Sequence, residues 1–282
     1  MRLTVLGSGG CMTIPKALCQ CDVCREARIK GPPFERTGPA AFIHDQNLLI
    51  DTPAEINTQL NRESIAKMDY LLFTHLDPDH TEGFRIVEQV TLDFRTWRNY
   101  PHKQIELVLP ETLMHRLERV HTAYGSKLTY YKKQGFIRCR TFKNRTTIGK
   151  LKLTALPVER GDQTTYIYVF EKAGRKLVYA VCDIKPFPED AAAVQNADLL
   201  VIQPGIFETG LKHGFVYPQD HISKSTLYNV EETLALSRRI GAKKILFTHL
   251  EEYWNRSYTD YVALEKKYGR AKFAHDGLCV DI

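Results

Sequence analysis

The chain has 282 residues, of which 43% are hydrophobic and 26% are charged, a composition typical of a globular protein with its own core. No apolar run approaches the roughly 18 residues needed to span a bilayer, so we expect no contact with a membrane interior. The first residues, MRLTVLGSGG, lack the pattern of a secretory signal. We therefore expect one cytoplasmic domain over residues 1–282.

The first predicted element is a strand over Arg2–Gly7, and a cysteine-rich loop at residues 11–38 follows it. In this loop Cys19, Cys21 and Cys24 are close enough in sequence for one tetrahedral zinc ion to bind all three thiols. The odd total of seven cysteines does not suit a disulfide framework. We therefore predict a structural zinc site. The candidates for its fourth ligand are Cys11, His44 and Glu252.

The segment LLFTHLDPDHTEG, residues 71–83, contains the closest grouping of metal-competent side chains in the sequence. A hairpin is predicted from Ala40–His44 and Asn47–Asp51, then a helix over Ala54–Ser64 and a strand over Asp69–Phe73. Metal-competent side chains follow that strand within six residues: His75, Asp77, Asp79 and His80. A turn after a buried strand can aim several ligands at one ion. We expect Asp51 to support this site by contacting the ligands and not the metal itself.

The rest of the chain alternates predicted helices and apolar strands. Helices are expected over Glu82–Val90, Glu111–Thr122 and Ser223–Ile240, and strands over Gln104–Pro110, Thr165–Glu171, Lys176–Val181, Leu199–Ile202 and Lys244–Phe247. Between Arg119 and Val158 there is no Asp or Glu, which predicts a basic insertion around residues 119–158. Such a segment either attracts phosphates and polyanions or forms a solvated face.

Three of the predicted strands end in residues with matching chemistry. His75, Asp183 and His249 each follow four or more apolar residues. One such histidine is weak evidence, because a histidine at a strand end is often hydrogen-bonded within the core. Three strand ends of this kind predict a metal site at one edge of a sheet.

These residues resemble the metallo-β-lactamase superfamily over essentially the whole chain. The superfamily motif His-x-His-x-Asp-His appears as His75-Leu76-Asp77-Pro78-Asp79-His80, and the later aspartate and histidine match Asp183 and His249. The start LGSGG, the cysteine loop and Arg25 resemble the branch of the phosphoribosyl 1,2-cyclic phosphate phosphodiesterases of the carbon–phosphorus lyase pathway and of the pyrroloquinoline quinone biosynthesis proteins B. The resemblance implies a four-layer αββα sandwich of the α/β class.

The resemblance also implies two metal sites. One would use Asp79, His80, Asp183 and His249. The other would use His75 and Asp77 and share Asp183. Its third histidine is missing, and Glu159 and Asp162 are the residues that could replace it. With Asp77 in place of an imidazole, that second site favours Mn²⁺ or Fe²⁺ more than a histidine-rich zinc site does. The late histidine of the structural zinc site is also absent, and Glu252 stands nearest its place.

The function implied is hydrolysis by one or two divalent metals, Zn, Mn or Fe, beside one structural Zn. The leading hypothesis is a phosphodiesterase for a small, phosphate-containing substrate, with Asp79 orienting the attacking water and His221 protonating the leaving oxygen. Hydrolysis or iron-dependent oxidation of a non-phosphate metabolite is one alternative, and a degenerate site kept for binding is another. Nucleic acid is not favoured as a substrate, and a homodimer remains open.

Overall fold

The computed structural model describes all residues from 1 to 282, and two seven-stranded sheets dominate it. Its strands are β1 (Arg2–Gly7), β2 (Ala40–Ile43), β3 (Leu48–Ile50), β4 (Tyr70–Leu72), β5 (Leu92–Asp93), β6 (Arg98–Asn99), β7 (Ile105–Pro110), β8 (His121–Thr122), β9 (Gly125–Ser126), β10 (Ile137–Phe142), β11 (Arg145–Ile148), β12 (Leu151–Arg160), β13 (Gln163–Lys172), β14 (Arg175–Ala180), β15 (Leu199–Ile202), β16 (Lys244–Phe247), β17 (Ala271–Phe273) and β18 (Cys279–Asp281).

The helices are short and lie between the strands. They are α1 (Asp22–Lys30), α2 (Ile56–Arg62), α3 (Pro78–Thr81), α4 (Ile86–Thr91), α5 (Glu111–Leu117), α6 (Lys127–Lys133), α7 (Ser223–Thr226), α8 (Val230–Arg239) and α9 (Tyr258–Tyr268). Single 3₁₀ turns occur at His44–Gln46, Glu82–Arg85, Lys212–Gly214 and Glu252–Trp254. None of these helices combines the length and apolarity needed to cross a membrane.

The first sheet has the strand order β10-β7-β4-β3-β2-β1-β18, and the second has the order β11-β12-β13-β14-β15-β16-β17. Parallel pairing joins β3, β4, β7 and β10 in the first sheet and β14, β15, β16 and β17 in the second. The carboxyl ends of parallel strands meet at one edge of a sheet, so the loops that follow them lie side by side. This arrangement positions the candidate metal ligands.

The two sheets pack face to face and helices cover their outer faces. Strand β13 shows how the layers form: Tyr166, Tyr168 and Phe170 join the core between the sheets, whereas Ile167 and Val169 join the core under the helices. Alternate residues of a strand point to opposite faces, and here both faces are apolar because both are covered. The αββα sandwich expected from the resemblance is confirmed.

The basic segment contributes strands to the two large sheets. Strand β10 forms the edge of the first sheet, and β11 and β12 begin the second sheet, so residues 119–158 contribute to both. On the edge strand, Arg138 and Arg140 both form ion pairs with Glu106 of β7. Charged residues on an edge strand discourage pairing with other chains. The excess of positive charge therefore has a structural explanation at this edge.

One predicted helix ends earlier than expected, and another is interrupted. The helix expected over Glu111–Thr122 ends at Leu117, and a small hairpin of β8 and β9 follows it. The helix expected over Ser223–Ile240 is two helices, because the Asn229 side chain accepts a hydrogen bond from the Glu232 N–H and the Glu232 carboxylate accepts one from the Asn229 N–H. This reciprocal capping box starts a new helix and leaves α7 with only four residues.

Candidate metal centre

The ligand-bearing residues follow directly after neighbouring strands of the two sheets. Asp51 follows β3, the segment from Thr74 to His80 follows β4 and includes the start of α3, and His249 follows β16. Asp51, Asp183 and His249 have φ angles of +62°, +54° and +58°, in the left-handed region that residues other than glycine rarely adopt. Strained conformations of this kind persist where the surrounding structure fixes them, and they are common at functional sites.

Asp79, His80 and His249 form what we call the first half-site. Nε2 of His80 lies 3.3 Å from Nε2 of His249, and each of these nitrogens lies 3.4 Å from Oδ2 of Asp79. In a tetrahedral site with bonds of about 2.0–2.1 Å, neighbouring ligand atoms are about 3.3–3.4 Å apart. The three donor atoms thus already have the spacing that a zinc-like ion requires.

Buried carboxylates hold both imidazoles of the first half-site in place. Nδ1 of His80 lies 2.9 Å from Oδ2 of Asp51, and Nδ1 of His249 lies 3.2 Å from Oε1 of Glu251. Asp51 itself accepts hydrogen bonds from the backbone N–H and the hydroxyl of Thr74, both at 2.8 Å. A carboxylate behind a ligating histidine fixes its tautomer and orientation, which leaves Nε2 free for the metal.

Electrostatics at the first half-site favour the charged form of every member. Burial opposes a positive charge on His80, yet the Asp51 carboxylate raises the pKa of His80 well above its ordinary value. Burial likewise opposes charge on Asp79, but hydrogen bonds from His249 and His80 lower the pKa of Asp79. A divalent ion bound to Asp79 and to the two Nε2 atoms would take the place of these protons, because only a neutral imidazole can ligate a metal.

His75, Asp77 and Asp183 form what we call the second half-site, whose ligand atoms lie within 4.8 Å of one another. Nε2 of His75 lies 3.6 Å from Oδ2 of Asp77. Burial lowers the pKa of His75, which keeps the imidazole in its neutral, ligating form. The structure groups Asp183 with these residues and not with Asp79, His80 and His249, where the resemblance had also placed it.

Cys182 and Arg160 also lie at the centre, although no local pattern predicted either of them. The buried thiol of Cys182 lies 3.6 Å from Nε2 of His80 and 3.7 Å from Nε2 of His75, so it stands between the two half-sites. Nη1 of Arg160 lies 2.9 Å from Oδ2 of Asp183. A cysteine ending an apolar strand was visible at Val181-Cys182-Asp183, but a single thiol forms no pattern.

Glu159 and Asp162 do not join the centre, so neither replaces the missing third histidine. Glu159 is exposed near the end of β12, where its carboxylate accepts a hydrogen bond from the hydroxyl of Thr164. Asp162 is exposed in the turn between β12 and β13.

The centre opens into a small polar cavity of about 240 Å³, lined in part by Asp77, Asp79, Asp183, Ser223 and His249. His221 is not among its lining residues. It lines a neighbouring cavity of about 660 Å³, and Ser223 belongs to the walls of both. Nδ1 of His221 accepts a hydrogen bond of 3.2 Å from the Ser223 N–H, which leaves its proton on Nε2.

The three loop cysteines and Glu252 form a separate group, the cysteine cluster, with ligand atoms within 4.8 Å of one another. Cys24 is fully buried and its thiol lies 3.4 Å from Oε1 of Glu252. Of the other candidates for the fourth position, His44 contacts Thr4, and Cys11 contacts Glu251 beside the first half-site. The cluster has the three-thiol composition of structural zinc sites, with a carboxylate as its fourth donor.

Lys212 lies against the cysteine cluster. Its ammonium group is 3.0 Å from Sγ of Cys19 and also contacts Glu252. The hydrogen bond from Lys212 lowers the pKa of Cys19 to about 7, whereas burial raises the pKa of Cys24 to about 12. The cluster therefore stabilises a positive charge, and thiols held together in this way suit a thiophilic cation.

The fold and this paired-site geometry define a class of metallo-hydrolases. The sequence model of the β-lactamase superfamily domain matches residues 46–250, well over half of the chain. The chain therefore belongs to the β-lactamase superfamily, and the resemblance found in the THLDPDH segment is confirmed. The fold is one that binds divalent metals. No curated protein sequence matches the chain.

Solved structures share the fold over the whole chain. A diphosphatase from the PhnP family is 21% identical with a TM-score of 0.73, covering 100% of this chain and 97% of its own. Zinc-bound PqqB from Methylobacterium extorquens is 17% identical with a TM-score of 0.74, and both chains are covered fully. The short form of human tRNase Z is 15% identical with a TM-score of 0.62, covering 100% of this chain and 99% of its own. At these identities the likeness concerns the fold.

Proposed function

We propose that this protein is a metal-dependent phosphodiesterase acting on small phosphodiesters, cyclic ones included. The observation that carries the proposal is the spacing of 3.3–3.4 Å among the donor atoms of Asp79, His80 and His249, which suits a tetrahedral metal site with a free fourth position. A divalent metal held there supplies a nucleophile by lowering the pKa of water towards about 7. The residues of the chain would perform the remaining steps.

Asp79 would orient the attacking water as well as ligate, because its carboxylate is the oxygen donor of the first half-site that faces the cavity. The cavity of about 240 Å³ suits a small substrate. Two of the structural neighbours are named a diphosphatase and a tRNase, which supports a reaction at phosphorus. The cysteine cluster would hold a zinc ion that fixes the loop at residues 11–38.

His221 would protonate the leaving oxygen. Its ring carries the proton on Nε2, since Nδ1 accepts the bond from Ser223, and its cavity meets the active-site cavity at Ser223. A leaving group that extends past Ser223 would reach this histidine. A positioned acid of this type contributes about 10²–10⁴-fold to the rate.

The test uses metal-free protein reconstituted with Zn²⁺ or Mn²⁺ and assayed with bis-p-nitrophenyl phosphate and a cyclic phosphodiester. We expect turnover by the wild type and a loss of about 10³-fold or more in His80→Ala, because the metal contributes several kcal/mol. His115→Ala, which removes an exposed histidine of α5, is the matched control and should keep full activity. Unchanged turnover in a folded His80→Ala protein would contradict the proposal.

A further inference from the structure

The second half-site contains a positive charge that belongs to the chain itself. Nη1 of Arg160 lies 2.9 Å from Oδ2 of Asp183 and 3.8 Å from Oδ2 of Asp77. The same oxygen of Asp77 faces Nε2 of His75 at 3.6 Å. The guanidinium group thus lies against the carboxylate oxygens that a second divalent ion would need.

The backbone of Arg160 belongs to the hairpin of β12 and β13. Arg160 is the last residue of β12 and pairs with Gln163 of β13, whereas β11 pairs with β12 only from Leu151 to Thr154. Its side chain is only 18% exposed. Nε and Nη1 are buried and make no hydrogen bond, so attraction to the two carboxylates holds the guanidinium in place.

The residues present do not fit a second divalent ion. The second half-site offers one imidazole and two carboxylates of its own. The nearby thiol of Cys182 lies as close to His80 of the first half-site as to His75, and neither Glu159 nor Asp162 is grouped with these ligand atoms. Both carboxylates already lie within 4 Å of the guanidinium. A divalent ion placed between them would be repelled at close range by a charge that cannot be lost, since arginine stays protonated in proteins.

We propose that Arg160 is a fixed cation in the place of a second active-site metal, so that the centre binds one divalent ion, at Asp79, His80 and His249. The inference rests on the proposed function only in taking the first half-site as the metal site. A planar guanidinium recognises phosphate oxygens well and cannot exchange with solvent ions. The centre would therefore keep positive charge on both sides of a phosphate with a single bound metal.

The cysteine cluster shows why a neighbouring cation does not always exclude a metal. Lys212 contacts that cluster, but it lies on a partly exposed 3₁₀ turn and carries a flexible stem. The cluster offers four donors without Lys212, and three of them are thiols, which bind zinc more strongly than carboxylates do. Arg160 extends from the end of β12, and the second half-site that it faces has fewer and weaker zinc-binding donors than the cysteine cluster.

The test locates and counts metals in the zinc-loaded protein after addition of Mn²⁺, by anomalous diffraction and by mass spectrometry. In the wild type we expect metal at the first half-site and none at the second. In Arg160→Ala we expect an additional ion at His75, Asp77 and Asp183, with at least about 10-fold tighter Mn²⁺ binding there. Arg160→Lys should keep the wild-type count, and Arg160→Gln replaces the alanine variant if that protein is unstable.

Lys212→Ala is the matched control, because it also removes a cation from an anionic cluster, and it should leave the number of metals unchanged. A fully occupied second half-site in the wild type would overturn the proposal. So would an unchanged metal count in both Arg160→Ala and Arg160→Gln. A first half-site without metal would instead contradict the proposed function, and the arginine variants would still decide the question at the second half-site.

Discussion

The centre at the sheet edges and the cysteine cluster are both able to hold a metal, but the chain builds them differently. The ligands at the sheet edges follow buried strands, and two of them, Asp183 and His249, have left-handed backbone conformations. The cysteine ligands come from a loop, the start of α1 and a 3₁₀ turn. The sheets hold the ligands of the centre in position, whereas a metal bound to the cysteine cluster would hold the loop in position.

The surroundings of the two sites also differ. The first half-site has carboxylates behind both imidazoles and opens into a polar cavity. The cysteine cluster, by contrast, offers four protein donors, the number that a tetrahedral site needs, and Cys24 is fully buried. Catalytic metal sites keep a position open, and structural sites are closed. Loss of metal from the first half-site should therefore end activity, whereas loss of metal from the cysteine cluster should lower stability.

The first prediction concerns His221, which lines the cavity next to the active-site cavity. His221 shares its cavity with Lys212 and Glu252 of the cysteine region and reaches the active-site cavity through Ser223. If it protonates the leaving oxygen, His221→Ala should lower kcat/KM by about 10²-fold or more for a phosphodiester with an alkoxide leaving group. The effect should be small for p-nitrophenolate, which leaves without an acid.

The matched control is His213→Ala, because His213 is an exposed histidine that lines the same cavity. Comparison of the two substrates separates proton donation from a structural effect of the substitution. Equal losses with both leaving groups would show that His221 has no role in protonation.

A second prediction concerns the carboxylate behind His80. Asp51→Asn removes the negative charge that orients the imidazole and also disturbs the hydrogen bonds from Thr74. Metal affinity at the first half-site should fall about 10–100-fold, as measured by competition with a chelator. Asp93→Asn removes another buried carboxylate, one that pairs with Arg95, and should leave the affinity unchanged. Equal metal affinities in the two variants would show that Asp51 does not support metal binding at the first half-site.

Much of this centre could be predicted because it depends on local patterns. An apolar strand followed by a metal-competent residue identified His75 and His249, since the end of a buried strand fixes where the next side chain begins. The three thiols were visible from their spacing alone. Asp51 was expected as a supporting residue for the same reason, and it lies against His80.

The remaining features depend on contacts between distant segments. Arg160 meets Asp183 only because β12 and β14 flank β13 in one sheet, and nothing in the local sequence distinguishes it from other strand-end arginines. The break in the helix expected over Ser223–Ile240 did have a local signal, Asn229 followed three residues later by Glu232. The assignment of Asp183 to one half-site required the coordinates of both loops.

The smallest expected effect on activity tests the cysteine cluster. Cys24→Ser should remove one bound zinc and lower Tm by roughly 4–8 °C, which corresponds to a loss of about 2 kcal/mol in a domain of this size. Turnover of the metal-loaded enzyme should change by less than about 3-fold, because none of the four cluster ligands belongs to either half-site. Cys279→Ser, at an exposed cysteine, is the control for removal of a thiol. A loss of turnover in proportion to the lost zinc, without a change in Tm, would mean that the cluster belongs to the catalytic machinery and that the contrast between the two sites is wrong.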